Sequence, residues 1–447
     1  MPFSYKSSTS ATPKLPRRAI LRLGVGGLLL PAVHRIAHAA PDRTDWIANG
    51  LREAAKRGAA FKLPAGVTAT RSLELPDGAK MVGAPAGSTL QLIGQGPLLY
   101  ASAARNIEIE SVIFDGGGAS FADPKRGLLD FSDVLRLSIH GCVIRDCGAR
   151  GVNLTRCGGR FAQNAIERVR DAGYFSLDGL GVDIDGNRVR ECGDNGVQVW
   201  TSAMGRYEGS RVRNNIIEDI HNLSGGDGAY GNGVGIWNAG FVRVENNKIS
   251  RCAYTAVRNN GGNDVVVIGN ECKTFGEKAM YAEFGAKRST FRDNKIDDAG
   301  AGIAVTNAER GTDVGWVTGN TITGLRESHP DDEFGQQMFW LTGILGEKNC
   351  EISGNTVIGS PWIGIALGGY RENLRAESNT LIDNAYGITF AAGEGVGDAI
   401  IARNKIIGSK KAAIAAMAGP EPLPGDVADP AEAAKYPRLT VRDNDVR

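Results

Sequence analysis

Aromatic, amide and charged side chains alternate with apolar ones in a series of short segments of this 447-residue sequence: Gln198 and Trp200, Trp237, Arg258 and Asn260, Tyr281 and Glu283, Thr306, and Glu347. With Val197, Val199, Val234, Ile236, Val257, Met280 and Ala282 pointing inward on extended chain, these neighbours point outward on one face. Trp200, Trp237 and Tyr281 offer flat apolar surfaces of the kind that stack on sugar rings, while Gln198 and Asn260 can both donate to and accept from hydroxyls. The plainer reading of the three aromatics is that they pack beneath loops. Glu283 is the candidate general acid or base. Glu347 is expected about 10 Å farther along, near the upper end of the carboxylate separation used by inverting glycosidases. Arg258 should lie one strand from Glu283, where its charge would hold that carboxylate ionised or neutralise a uronate. A second group falls in 324–342, where His329 and Asp331, beside Asp332 and Glu333, could contact substrate, supply an acid or base, or hold a hard cation. A solvated acidic loop is the plainer reading there.

These side chains need a scaffold that brings distant positions together, and the sequence supplies one as a repeat. Segments such as Phe161-Ala-Gln-Asn-Ala-Ile, Val244-Glu-Asn-Asn-Lys-Ile and Ile352-Ser-Gly-Asn-Thr-Val share an asparagine. The aligned residues are Asn164, Asn187, Asn215, Asn247, Asn270, Asn294, Asn320, Asn355, Asn379, Asn404 and Asn444. Their shortest spacings are 23 to 25 residues, and the longer ones add insertions. Eight or nine residues after most of them comes Gly or Ala and then two apolar residues flanking one other, as in Gly302-Ile-Ala-Val and Gly387-Ile-Thr-Phe. Period-two alternation with no helical spacing predicts three short strands per unit, one coil of a parallel β-solenoid. Each asparagine is expected at a tight bend that tolerates left-handed geometry, its amide bonded to its counterpart one coil away. That role is structural and needs no ligand. Residues 41–60 carry Trp46, Ile47, Leu51, Ala54 and Ala55 at helical spacing and are expected to cap the first coil. The Pro-rich stretch 419–437, or a partner, is expected to cover the last. Insertions at 201–210, 221–232 and 324–342 fall in the coils that carry the outward set, as functional loops do.

The first 39 residues read as an export leader rather than structure. Lys6, Lys14, Arg17 and Arg18 precede a modestly apolar stretch from Ala19 to Val33, and Ala37-His38-Ala39 is a small-x-small cleavage site. Arg17-Arg18 resembles the twin-arginine consensus, which implies the Tat translocase as a transient partner and a periplasmic or secreted destination. Arg22 interrupts the apolar run, so a spanning helix, which needs about 20 residues, is not expected, nor any stable membrane insertion. The leader holds six Lys or Arg and no acid, so the formal net charge of +1 becomes −5 without it. Nucleic-acid binding, which calls for a basic excess, is not expected. Seven cysteines do not form a disulfide framework in a chain of this length. Cys147, Cys192 and Cys252 occupy one repeat position, two coils apart and too far to bridge, which suits a buried apolar slot.

The helix followed by coils resembles the pectin lyase-like superfamily of right-handed β-helices over roughly Thr44 to Arg447. With its leader the chain also resembles an uncharacterised family of twin-arginine-translocated repeat proteins. The fold expected is therefore all-β: a leader at 1–39, a cap helix at 40–60, and one solenoid domain at 61–447. The resemblance implies substrate lying over the strand that begins with the Gly-Ile-x-Val signal, but the superfamily holds lyases, hydrolases, epimerases, tailspikes and adhesins, and fold does not choose among them. No Gly-His-Gly or Asn-Thr-Asp of the polygalacturonases and no Asp-Pro-His of the alginate epimerases is present. The clustered aspartates of the pectate lyases are missing too, although 178–185 is acidic. No cofactor is evident, and calcium is the one metal these acidic loops would suit. The leading expectation is a polysaccharide partner that is bound, with cleavage or epimerisation as the reactions such a site could perform. The alternative is a non-catalytic envelope or adhesion scaffold. An enzyme requires a titratable pair converging in the cleft.

Overall fold

The computed structural model of the chain describes residues 41–226, 228–306, 314–327, 342–393 and 397–447, the side chains of 369–371 excepted. The leader, His329 and Asp331 lie outside the described residues. Residues Ala40–Arg447 form one compact unit, a right-handed parallel β-solenoid of about 14 turns with a helix at its start.

Each coil carries three short strands. In one coil these are Val182–Asp185, Arg188–Cys192 and Asn195–Trp200, and each pairs in parallel with its counterpart one coil on: Arg211–Arg213, Ile216–Ile220 and Asn232–Trp237. Alternation decides which side chains enter the core. Val197, Val199, Val234, Ile236, Val257, Met280 and Ala282 are all buried inside, as their spacing predicts. Cys147, Val169, Cys192, Ile220, Cys252 and Phe275 stack in one interior column. All seven cysteines are buried and free. Burial pushes the Cys142 thiol up to about 11, so these residues act as small apolar fillers rather than nucleophiles.

The asparagine column is continuous. Asn187 donates its backbone N–H and its Nδ2 to Oδ1 of Asn215 at 2.8 and 2.9 Å, and Nδ2 also to the carbonyl of Phe161 one coil back at 2.9 Å. Equivalent bonds run from Asn164 to Asn444. Cys142 opens the series, its N–H reaching Oδ1 of Asn164. One expectation is corrected: the left-handed residue is the one before each asparagine, for example Gln163, Gly186, Asn214 and Asn246. That residue makes the bend, and the asparagine behind it turns inward to bond.

The amphipathic helix α1 (Thr44–Lys56) buries Ile47, Leu51 and Ala54 over the first coils, and Trp46 meets Phe61 edge-on at 5.4 Å. At the other end the 419–437 segment covers the last strand of the sheet that contains Asn195–Trp200, Ala412–Ala418. Leu423 and Val427 donate antiparallel bonds to Ala416 and Ile414 at 2.8 Å, and Val427 is buried. Asp426 accepts from the amides of Ala413 and Ile414. A sheet edge that would otherwise present bare donors is thereby satisfied by the chain itself.

Candidate functional site

The outward face of one sheet holds the residues singled out from the sequence, His329 and Asp331 excepted, which lie outside the described residues. Its register gives two columns. One runs Asn153, Phe175, Gln198, Gly235, Arg258, Tyr281. The other runs Leu177, Trp200, Trp237, Asn260, Glu283, with Thr306 and Glu347 continuing it one and two coils beyond Glu283. The predicted two-coil interval between Glu283 and Glu347 is therefore present in the register.

The aromatic part is a ladder. Phe175 meets Trp200 at 5.3 Å in an edge arrangement, and Trp200 meets Trp237 at 6.0 Å. Trp237 is 41% exposed and presents its ring to solvent. Tyr281 does not join these rings: it lies in the Phe175 column but four coils on, among charges. Beside the ladder Gly235 leaves a notch, since a Cβ there would meet only Cγ of Gln198 at 3.9 Å. Gln198 itself is only 2% exposed, so it lies beneath the surface rather than on it. Arg150 stacks its guanidinium on the far face of the ladder, 3.8 Å from the Phe175 ring centre, and is held there by Asp171 and Asn153.

Beyond the ladder comes a buried charge cluster. Arg258 donates through Nε to Glu283 at 2.6 Å and through Nη1 to Glu277 at 2.8 Å. Lys278 pairs with Glu277 at 3.1 Å, and both cations lie near the Tyr281 ring, at 5.0 and 4.4 Å. Two cations thus balance two carboxylates. Burial pushes the Glu283 carboxyl above its ordinary value, whereas the charge and hydrogen bond of Arg258 act in the opposite direction. Arg258 was also expected to be available to a uronate, but here its guanidinium is engaged by two carboxylates. Burial likewise raises the Tyr281 hydroxyl, which bonds Thr306 at 3.3 Å. Asn260 sits between Trp237 and Glu283, and its buried Oδ1 has no hydrogen-bond partner among the described residues. That oxygen lies beneath the surface, so only the rest of the half-buried Asn260 amide borders the face.

The 221–232 insertion flanks this cluster. Gly228 takes φ +93° and lies against Arg258, where an added Cβ would come within 1.9 Å of Nη1. Tyr254 holds the segment by donating to the Gly226 carbonyl at 2.6 Å. The 201–210 insertion turns the other way: Tyr207 and Phe241 stack at 5.2 Å outside, and Glu208 is buried inside. The acidic 178–185 stretch is divided among separate partners, Asp183 with Arg213 and Asp178 with Ser202. Among the described residues no three His, Cys, Asp or Glu side chains converge to hold a metal, and no helix is long and apolar enough to cross a membrane.

Sequence reasoning missed Phe175, Gly235, Glu277 and Lys278. The first two lie in the same columns and follow from extending the alternation one coil back and across. Glu277 and Lys278 lie next to a register shift between Phe275 and Lys278, where alternation carries no information.

A family model described as the right handed beta helix region matches residues 93–230 and 206–329. No curated protein matches the sequence significantly. Among solved structures, the pre-mature gene product 12 of bacteriophage phi29 superposes with TM-score 0.51 at 16% identity, over 83% of this chain and 52% of that one. This chain therefore spans about half the length of the phage protein, and the likeness is one of fold. The mannuronan C-5 epimerase AlgE6 A-module of Azotobacter vinelandii gives TM-score 0.44 at 15% identity, over 91% and 96% of the two chains. The surface adhesin PfbA of Streptococcus pneumoniae gives 0.48 at 12%, over 91% and 94%.

Proposed function

The chain belongs to the right handed beta helix family, and from that premise we propose that it is an exported protein that binds a polysaccharide along this sheet. The observation that carries the reading is the Phe175–Trp200–Trp237 ladder, apolar faces rising along the coil stack into a polar cluster. Sugar rings lying over Trp200 and Trp237 would bring a hydroxyl to Asn260 and a glycosidic or ring carbon toward Glu283 and Tyr281. Export rests on the twin-arginine leader, with the periplasm or the medium as destination.

The cluster supports action on the glycan as well as binding. Glu283, with its raised pKa, is the candidate acid for cleavage or epimerisation, and Arg258 and Glu277 position it. Glu347, two coils along, is the second carboxylate of that reading. Binding without turnover is favoured by a different observation: the Arg258–Glu283 bond is short and buried, as a permanent structural pair is.

The test uses protein beginning at Ala40, titrated against a polysaccharide panel, with reducing-end and unsaturated-product assays on each binder. Trp237→Ala is expected to weaken binding about tenfold while thermal unfolding is unchanged; undiminished affinity removes the groove. If the protein is an enzyme, Glu283→Gln stops product formation and leaves binding intact. Wild-type protein that binds a glycan and releases no product from it is a binding module.

A further inference from the structure

Past Tyr281 the same sheet changes character. Its outward column continues Ala304, Leu345, Ala366, Thr389, Ala415, so small and apolar side chains stand where a solvent-facing sheet normally carries polar ones. The neighbouring column continues through Gly368 and Ala391. Leu345, Ala366 and Thr389 of the first column and Gly368 and Ala391 of the second line a cavity of about 670 Å³ on the outside of the solenoid. Ala366, Ile363, Tyr386 and Ala415 form a hydrophobic cluster there, separate from the interior core. Tyr281 and Lys278 bound the cavity on the side of the charge cluster, and Met417 and Pro420 bound it on the other. Among the described residues its charged groups are Lys278 and Glu347, which lie toward Tyr281.

We propose that this cavity is a subsite for acetyl groups carried on the glycan, an inference that rests on the polysaccharide reading above. A bare hydroxyl gains nothing from an apolar floor, and a plain alkyl chain gains nothing from an ammonium and hydroxyls at one end. An acetyl ester or amide uses both, its methyl on Ala366 and Ala391 and its carbonyl oxygen accepting from Lys278 Nζ or Thr306. The cavity also continues the columns that carry the aromatic ladder, so one chain could occupy ladder, cluster and cavity together.

Affinity electrophoresis tests this with three pairs of gels: O-acetylated xylan, galacturonan or alginate, each beside the same polymer after mild alkaline deacetylation. The acetylated member of at least one pair is expected to retain the protein more strongly, by about fourfold for each buried methyl. Ala366→Leu, and independently Ala391→Leu, fill the cavity and bring that ratio toward one, with thermal unfolding reporting that each variant is folded. Retention equal on both members of every pair that binds overturns the acetyl subsite while leaving the groove. Retention on none of the six gels overturns the groove reading and the subsite with it.

Discussion

Glu208 is a carboxylate inside an apolar solenoid, and its surroundings make a pH prediction. It is fully buried and accepts from the Ser210 amide and hydroxyl, each at 2.8 Å. Across Gly179 lies Ser176, whose hydroxyl, like that of Tyr174, is buried without a well-aligned partner among the described residues. Burial pushes the Glu208 carboxyl above its ordinary value, and the Ser210 bonds only partly oppose this. A carboxyl whose folded-state pKa exceeds its unfolded value favours the fold while protonated in both states, and that contribution is lost as pH rises through the folded value. Glu208→Gln removes the charge, keeps an acceptor for Ser210 and adds a donor for those hydroxyls. It should be more stable than wild type by about 1–3 kcal/mol at pH 8, with the gain vanishing near pH 4. Urea unfolding at both pH values decides, and a variant no more stable at pH 8 would show that the charge is compensated. Nothing in the sequence announced this residue: it falls in the 201–210 insertion, where no alternation distinguishes inward from outward. Trp200 and Trp237 were legible because strand alternation alone sends them out.

At the scale of the strand and its bend, the asparagine ladder makes neighbouring coils depend on one another. Asn270 accepts from Asn247 N–H and Nδ2, donates to Asn294, and satisfies the carbonyls of Val244 and Ile268. Asn270→Ala strands donors on one side and acceptors on the other, all buried, and should cost about 3–5 kcal/mol, since each unmet buried group costs about 1–3. Asn444→Ala, at a part-buried position with bonds to one side only, should cost about 1 kcal/mol. Urea midpoints measure both, and equal losses would mean that the ladder's interior position adds nothing. The ladder was readable from sequence because the bonding requires the same side chain in every coil. The left-handed bend before it was not, because that position is filled variously by Gln163, Gly186, Asn214, Asp293 and Arg403, each adopting positive φ with no single residue type as a marker.

Across the whole described solenoid, each coil pairs only with the coil before and the coil after, from Phe61–Lys62 on to Asp445–Val446. Such a body behaves as a row of nearest-neighbour units, in which a defect propagates only as far as the coupling between coils carries it. The same geometry explains which part of the site could be read in advance: columns built from regular strands followed from counting, whereas the Glu277–Arg258–Glu283 cluster depends on a turn where the register shifts. It also separates the capped end from the proposed binding face. Ile47, fully buried in α1 against the first coils, anchors the helix that covers them. Ile47→Asp places a charge where no partner exists and should detach that helix. Hydrogen exchange should then rise at least about tenfold in the strands Phe61–Lys62, Gly66–Thr70 and Lys80–Val82. The amides of Asn232–Trp237 and Val257–Asn260, five or more coils away, should keep their wild-type rates. Loss of protection at those groove strands in step with the first coils would mean that the solenoid opens as one cooperative unit, so that the groove could not be altered independently of the cap.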